Sequence, residues 1–247
     1  MKGLSFIPNA FTLGNLFCGV LAICFITESP ALTVYFVLAG ALLDFFDGML
    51  ARLLKVQGEM GKQLDSLADM VTFGVVPGLM ALKLLSDFGP TWNFEFLEEE
   101  QGIYNFATFS NVLVLSIVLG AAYRLAKFNI ANDQSVDFKG LPTPANAIFW
   151  TGLFGAFYLM GEPEELFVIL QENTIIIKVL ALVFSFLMIS NIPIFGLKFK
   201  NFNLKENSWK YLLLTSSLIL LVFFKWLALP LIVVLYVILS IIKNLVK

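Results

Sequence analysis

The sequence predicts an all-α fold: a polytopic membrane helix bundle of about eight transmembrane helices, with N- and C-termini cytoplasmic. Three observations predict it. Hydrophobic residues make up 59% of the 247 and charged residues 14%, with a mean hydropathy of +0.86, against roughly 45–50% apolar and about 25% charged in a soluble domain. The apolar residues gather in runs of the ~20 residues that a helix needs to cross a ~30 Å hydrocarbon core. With the runs alternating across a bilayer, all of the 16 basic residues except Lys83, Lys178 and Lys225 fall on one side, the asymmetry that marks a cytoplasmic face.

The runs place spans near 6–27, 31–54, 64–86, 107–127, 142–160 and 173–196. The first is preceded by a single basic residue, Lys2, exceeds a signal peptide's core in length and lacks a small-residue cleavage pattern, so it reads as a retained helix. The stretch 209–243 is too long for one span and is interrupted by Lys225 and Pro230. That predicts a hairpin of two short helices, around 209–223 and 227–243, with one long tilted helix as the alternative. No connecting segment is both long and rich in Pro, Gly and Ser, and no repeat is visible. The expected organisation is one integral membrane domain, 1–247, with a six-helix core carrying the chemistry over 1–196 and a C-terminal hairpin over 197–247.

Absences narrow the chemistry. The chain has no His, so imidazole serves neither as base nor as metal ligand. Cys18 and Cys24, both in the first run, are too few for a thiolate cluster or a disulfide framework and read as buried packing residues. A net charge of -2 and a pI near 5.2 give no whole-chain attraction to nucleic acid, and no nucleic-acid partner is expected. The 26 Phe are expected to face lipid or neighbouring helices, and the outer segment 87–106, with Trp92, Phe94 and Phe96, reads as interfacial.

Against this apolar background, four carboxylates stand out. A charged side chain inside a bilayer costs at least ~2.5–3.5 kcal/mol on insertion scales, so such acids face a partner, a cation or a water-filled cavity. At 100° per residue, Asp44, Asp47, Gly48, Ala51 and Arg52 form one stripe near the end of the second span. Gly61, Asp65 and Asp69 form a matching stripe at the start of the third. A short cytoplasmic turn joins the two spans, so antiparallel packing brings the four acids to one depth as a cation cage. Nearby cations are too few for structural ion pairing. Oxygen ligands without His or Cys select hard ions, with Mg²⁺ or Mn²⁺ first and Ca²⁺ as an alternative. Four acids suit two ions about 3.5–4 Å apart, an arrangement for displacement at phosphorus. Gly48, Ala51 and Gly61 leave room for a bulky ligand beside the cage, and Arg52 offers a planar fork to phosphate. Close helix packing is the alternative reading of the glycines, and a sidedness anchor that of Arg52.

The pattern Asp44-x-x-Asp47-Gly48-x-x-Ala51-Arg52, eight residues, Gly61-x-x-x-Asp65-x-x-x-Asp69 resembles the signature of the CDP-alcohol phosphotransferases, with every fixed position filled. Eight identities at fixed spacing arise by chance in such a chain on the order of 10⁻⁸ of the time, given residue frequencies of ~5–7%, so the match is specific. The resemblance implies a dimetal enzyme that moves a phosphatidyl-type group from a CDP-linked lipid to an alcohol and releases CMP. It further implies Asp44, Asp47 and Asp65 as metal ligands, Asp69 as catalytic base beside the metals, and Gly48, Ala51, Arg52 and Gly61 as the CDP-contacting surface. Relatives in this family are commonly homodimers. A divalent cation transporter is the competing class, but it calls for acids or broken helices at the bilayer midplane, whereas these acids cluster toward one face.

The signature does not name the acceptor. Tyr123-Arg124-Leu125-Ala126-Lys127-Phe128-Asn129, Phe138-Lys139-Gly140-Leu141-Pro142-Thr143-Pro144-Ala145 and Ile7-Pro8-Asn9 with Thr12-Leu13-Gly14-Asn15 resemble stretches of the family's serine-using members. This implies CDP-diacylglycerol and L-serine as substrates, at the cytoplasmic face of the plasma or inner membrane. Arg124, Lys127 and Lys139 are then candidates for the serine carboxylate, Asp133 or Asp137 for its ammonium, and Asn9, Thr12 and Asn15 for the CDP-lipid. Solvated or sidedness charges are the alternative for Arg124, Lys127, Lys139 and the two acids, and interhelical hydrogen bonds the alternative for Thr12 and Asn15. Lys127 departs from the Arg more usual at its position and replaces a bidentate fork by a point charge. Other acceptors, glycerol 3-phosphate or inositol phosphate, would call for a cluster of cations, of which the chain order shows few. Ester- and ether-linked lipid donors are not distinguished.

Overall fold

The structure, a computed structural model, describes residues 4, 6–88, 111–130, 138–160, 165–197, 203–204 and 206–246. Within them the protein is a helical membrane bundle. Phe6–Phe25, Pro30–Leu53, Glu59–Asp87, Asn111–Ile130 and Ser208–Leu245 are long and apolar enough to cross a bilayer, and Ile175–Ile189 is a shorter apolar helix. Phe17, Phe45, Leu119, Phe186 and Val222 are each more than half exposed on the outer surface, as a lipid-facing belt requires. Of the interfacial segment expected at 87–106, all beyond Phe88 lies outside the described residues, as do Asp133 and Asp137.

Helices α1 (Phe6–Phe25) and α2 (Pro30–Leu53) carry Pro8 and Pro30 in their first turns, where a missing N–H leaves no hydrogen bond unmade. They form the most extensive helix pair among the described residues. α2 stops in a tight turn, in which Val56 donates its N–H to Ala51 O at 3.1 Å and Lys55 to Arg52 O at 3.3 Å. Lys55 takes the left-handed conformation, φ 55°, that such a helix stop demands and that glycine usually supplies. α3 (Glu59–Asp69) then begins earlier than the apolar run at 64, because Glu59, Lys62 and Gln63 extend the helix without extending its hydropathy. It runs through a π-helical turn, Met70–Val75, into α4 (Val76–Phe88). Pro77 follows directly; a ring without an N–H removes the regular bond to the carbonyl of Phe73 and favours the wider turn.

After a 3-10 turn, Asn111–Leu115, come α5 (Ser116–Ile130), α6 (Thr143–Leu159), α7 (Glu165–Glu172) and α8 (Ile175–Ile189). α7 was not anticipated, since its acidic ends mask eight helical residues in what reads as an outer loop. α6 is buried almost all round and packs on α2, α4 and the π turn. Phe149 stacks on Phe184 with ring centroids 4.0 Å apart and Trp150 is fully buried beside them. The C-terminal stretch forms two helices, α9 (Ser208–Phe224) and α10 (Ala228–Leu245), broken at Lys225–Leu227. α10 packs along α6, so closely that a Cβ on Gly152 would lie 2.4 Å from Leu229 Cβ. A two-residue antiparallel pair, β1 (Phe138–Lys139) with β2 (Pro193–Ile194), ties the entry of α6 to the exit of α8. Cys18 is half-buried beside Gly40, but Cys24 is exposed. The packing role expected of both belongs to Cys18 alone, because Cys24 lies on the outward face of α1.

Candidate active site

α2 and α3 do not pack directly on each other as the short turn suggests: α1 lies against both, and all four acids lie roughly two to three helical turns from the turn. Carboxylate oxygens of Asp44, Asp47 and Asp65 lie within 4.8 Å of one another. Asp69 lies within electrostatic range of all three. Asn15 on α1 donates from Nδ2 to Asp69 Oδ1 at 3.2 Å. Three helices meet just beyond, at Thr72 in the π turn. Its hydroxyl donates to Asn15 O at 3.0 Å, and a Cβ on Gly19 or Gly40 would lie 2.5 or 2.9 Å from Thr72 side-chain atoms. The glycines admit Thr72, Thr72 holds the backbone of Asn15, and Asn15 holds Asp69.

The cluster fits divalent cations on its own chemistry. Asp47 and Asp69 are only 5% and 8% exposed. Among the described residues none of the four acids pairs with Lys or Arg, the ion pair there being Lys83 with Asp87. Among the described residues Asp47 Oδ2 is buried with no hydrogen-bond partner. Buried carboxylates so close together need compensating positive charge, and an all-oxygen donor set is that of Mg²⁺, Mn²⁺ or Ca²⁺.

A cavity of about 810 Å³ opens beside the cluster, lined by Asn9, Thr12, Asp47, Gly48, Ala51, Arg52, Gly61 and Asp65 together with Arg124, Lys127, Phe128 and Lys139. The tertiary structure thus gathers residues that lie as far apart in sequence as 9 and 139. A Cβ on Gly48 would meet nothing nearer than the Arg52 guanidinium at 3.8 Å, and one on Gly61 only Asn9 Oδ1 at 3.4 Å. Helix packing therefore does not explain these glycines, whereas open space for a ligand does. Thr12 lines the cavity with its hydroxyl donated to Pro8 O at 3.1 Å. Asn15 is fully buried behind Asp69 rather than on the wall, the interhelical alternative. Asp44 and Asp69 do not line the cavity either.

Arg124 is buried, with Nε unpartnered among the described residues and Asp69 within electrostatic range. Lys127 donates to Asn191 Oδ1 at 2.8 Å, and Lys139 is exposed on β1. Gly140 next to it holds φ 78° over the end of α8, where a Cβ would strike Met188 O at 2.5 Å. Sequence reasoning missed Lys62, Gln57, Glu59 and Met188 on the wall. Lys62 is one helical turn before Asp65 and counted there only as a loop charge. With it the wall carries five basic residues, Arg52, Lys62, Arg124, Lys127 and Lys139, more than their scattered order suggests.

Comparison with known proteins agrees with this geometry. The CDP-alcohol phosphatidyltransferase family model matches residues 5–189, the whole of α1 to α8. A Bacillus subtilis protein named CDP-diacylglycerol–serine O-phosphatidyltransferase is 34% identical over 142 residues, covering 57% of this chain and 71% of its own length. Proteins of the same name from Mycobacterium tuberculosis and Helicobacter pylori are each 32% identical, over 168 and 144 residues, covering 64% and 57% of this chain. The chain spans only about half the length of those two, 52% and 54%. With the match running through every helix that shapes the cavity, the chain belongs to the CDP-alcohol phosphatidyltransferase family.

Proposed function

We propose that this protein transfers a phosphatidyl group from CDP-diacylglycerol to the hydroxyl of L-serine, giving phosphatidylserine and CMP. The observation that carries the reading is the carboxylate cluster opening onto a cavity that Arg124, Lys127 and Lys139 also line; the names of the relatives point the same way. Asp44, Asp47, Asp65 and Asp69 would hold two Mg²⁺ or Mn²⁺ ions, which when bound neutralise the pyrophosphate and the charge developing on CMP. Gly48, Ala51 and Gly61 form a low wall for the CDP group, Arg52 forks onto its phosphate, and Asn9 and Thr12 border it. Arg124, Lys127 and Lys139 receive the serine carboxylate. Asp69 takes the hydroxyl proton as the serine oxygen bonds to the phosphatidyl phosphorus; the bond from that phosphorus to the bridging oxygen breaks, and CMP leaves with the electron pair.

The same reading places 1–247 as one domain of about eight spans in the plasma or inner membrane, with both termini and the cavity cytoplasmic. In its favour, Arg52, Lys55, Lys62, Arg124, Lys127 and Lys139 gather at the cavity end, as a cytoplasmic face requires. A homodimer is expected from the family resemblance. The five basic wall residues give a second reading some support, in which the acceptor is phosphorylated. Purified protein supplied with CDP-diacylglycerol, Mn²⁺ or Mg²⁺ and one alcohol at a time separates the two. Release of CMP with serine is the expected result, and release with glycerol 3-phosphate or inositol phosphate but not serine would overturn it.

A further inference from the structure

Resting on the serine reading above, we infer that Ser66 and Asn129, with Lys62, are positioning residues that set the acceptor end of the cavity against the carboxylate end. The two ends lie on different helices. α3 carries Gly61, Asp65 and Asp69, whereas α5 carries Arg124 and Lys127. Along its middle, α5 is wedged tightly: a Cβ on Gly120 would lie 3.1 Å from Ser185 Cα on α8, and one on Gly74 of the π turn would lie 3.0 Å from Ala121 Cβ. Arg124 and Lys127 project one and two turns beyond that wedge, on a helix end that swings unless it is held.

Three side chains hold it to α3. Asn129, in the last turn of α5, donates from Nδ2 to Ser66 Oγ at 2.8 Å. The single Ser66 hydroxyl proton has Asn129 Oδ1 at 3.1 Å and Lys62 O at 3.2 Å as acceptors. Lys62 Nζ donates to Asn129 O at 2.6 Å, a charge-assisted bond to a carbonyl at the negative end of the helix. Ser66 adjoins Asp65 in sequence, so the junction couples the end of α5 directly to a residue of the cluster. From the other side, Asn191 holds Lys127 at 2.8 Å, so the position of the α5 terminus is determined from both flanks. Three of the carboxylates stand apart from the junction, since Asp44 and Asp47 ride on α2 and Asp69 is held by Asn15, and Asp65 keeps its place through the backbone of α3 when only the Ser66 or Asn129 side chain is cut back.

Loss of the junction therefore acts on the acceptor and spares the donor. Ser66→Ala and Asn129→Ala are each expected to raise the KM for serine about two- to tenfold, the weight of one or two hydrogen bonds. The KM for CDP-diacylglycerol and the Mn²⁺ affinity measured by calorimetry with CDP-lipid present stay unchanged. The double variant raises KM no more than the stronger single one, since both remove the same link, and Ser66→Thr, which keeps the hydroxyl, restores the parent value. An unchanged serine KM in both single variants, or equal loss for serine and CDP-lipid, would overturn the inference while leaving the serine reading intact. Absence of serine-dependent CMP release in the parent protein would instead remove that reading.

Discussion

Each acid of the cluster occupies a helical position that is costly unless occupied by charge of opposite sign, and this makes single substitutions informative. Asp69→Asn keeps size and hydrogen bonding to Asn15 while removing the proton acceptor. CDP-lipid binding is expected to persist and CMP release to fall at least about 10²-fold, the lower range for lost general-base catalysis; unaltered turnover would remove Asp69 from that role. Gly48→Ala tests the ligand space. A Cβ there meets only the Arg52 guanidinium at 3.8 Å, and alanine favours helix over glycine by roughly 0.5–1 kcal/mol. The variant should melt no lower than the parent yet bind CDP-diacylglycerol more weakly, and a lowered melting temperature with unchanged KM would refute the assignment. These positions were legible because helical spacing alone puts 44, 47, 65 and 69 on facing stripes. Asn15 and Lys62 were harder to read, since an amide in an apolar helix and a lysine in a loop-like stretch each have an ordinary explanation.

At the level of the elements, helix joints decide how well the cluster is built. Lys55 spends its φ of 55° closing the turn between α2 and α3, a conformation that disfavours side chains by roughly 1–2 kcal/mol per residue. Lys55→Gly is expected to raise stability by about 1 kcal/mol in thermal or denaturant unfolding, with turnover unchanged; a fall in stability would show that the turn is not under this strain. Gly19→Ala should act in the opposite sense. Its Cβ would lie 2.5 Å from Thr72 Oγ1 and 3.1 Å from Thr72 Cα, so α1 must move off the π turn, at about 1–3 kcal/mol. The displacement carries Asn15 with it, and CMP release should drop together with the melting temperature. The π turn itself was not foreseen, although Pro77 is its visible cause, because a hydropathy profile records how apolar a turn is and not how wide.

For the whole molecule, the arrangement is a bundle whose chemistry sits at one end. Chelation by EDTA is expected to abolish CMP release, and Mg²⁺ or Mn²⁺ to restore it, because none of the four acids forms an ion pair with Lys or Arg among the described residues. Full activity in a metal-free preparation would dismiss the cluster as a cation site. A fluorescent protein that matures only in the cytoplasm, fused after residue 247, should light up if the chain returns to that side. The spans were largely legible from composition, and the observed helices follow the expected runs near 6–27, 31–54 and 142–160 closely. α7 and the β1–β2 pair escaped because each is too short, or too mixed in polarity, to leave a periodic trace.

By itself the sequence determined that this is a helical membrane protein, that four acids share one end of two adjoining helices, and which family signature they form. Those are local properties, carried by hydropathy and by a spacing of three and four residues, so the chain order suffices to read them. Only the tertiary structure decided that Arg124, Lys127 and Lys139 share a cavity with Asp47 and Asp65, that Asn15 serves Asp69 from behind, and that Ser66 and Asn129 join the two halves. Each of these depends on how closely non-consecutive helices approach. Such distances are set by glycines meeting bulky neighbours across an interface, and no periodicity within a single helix records them.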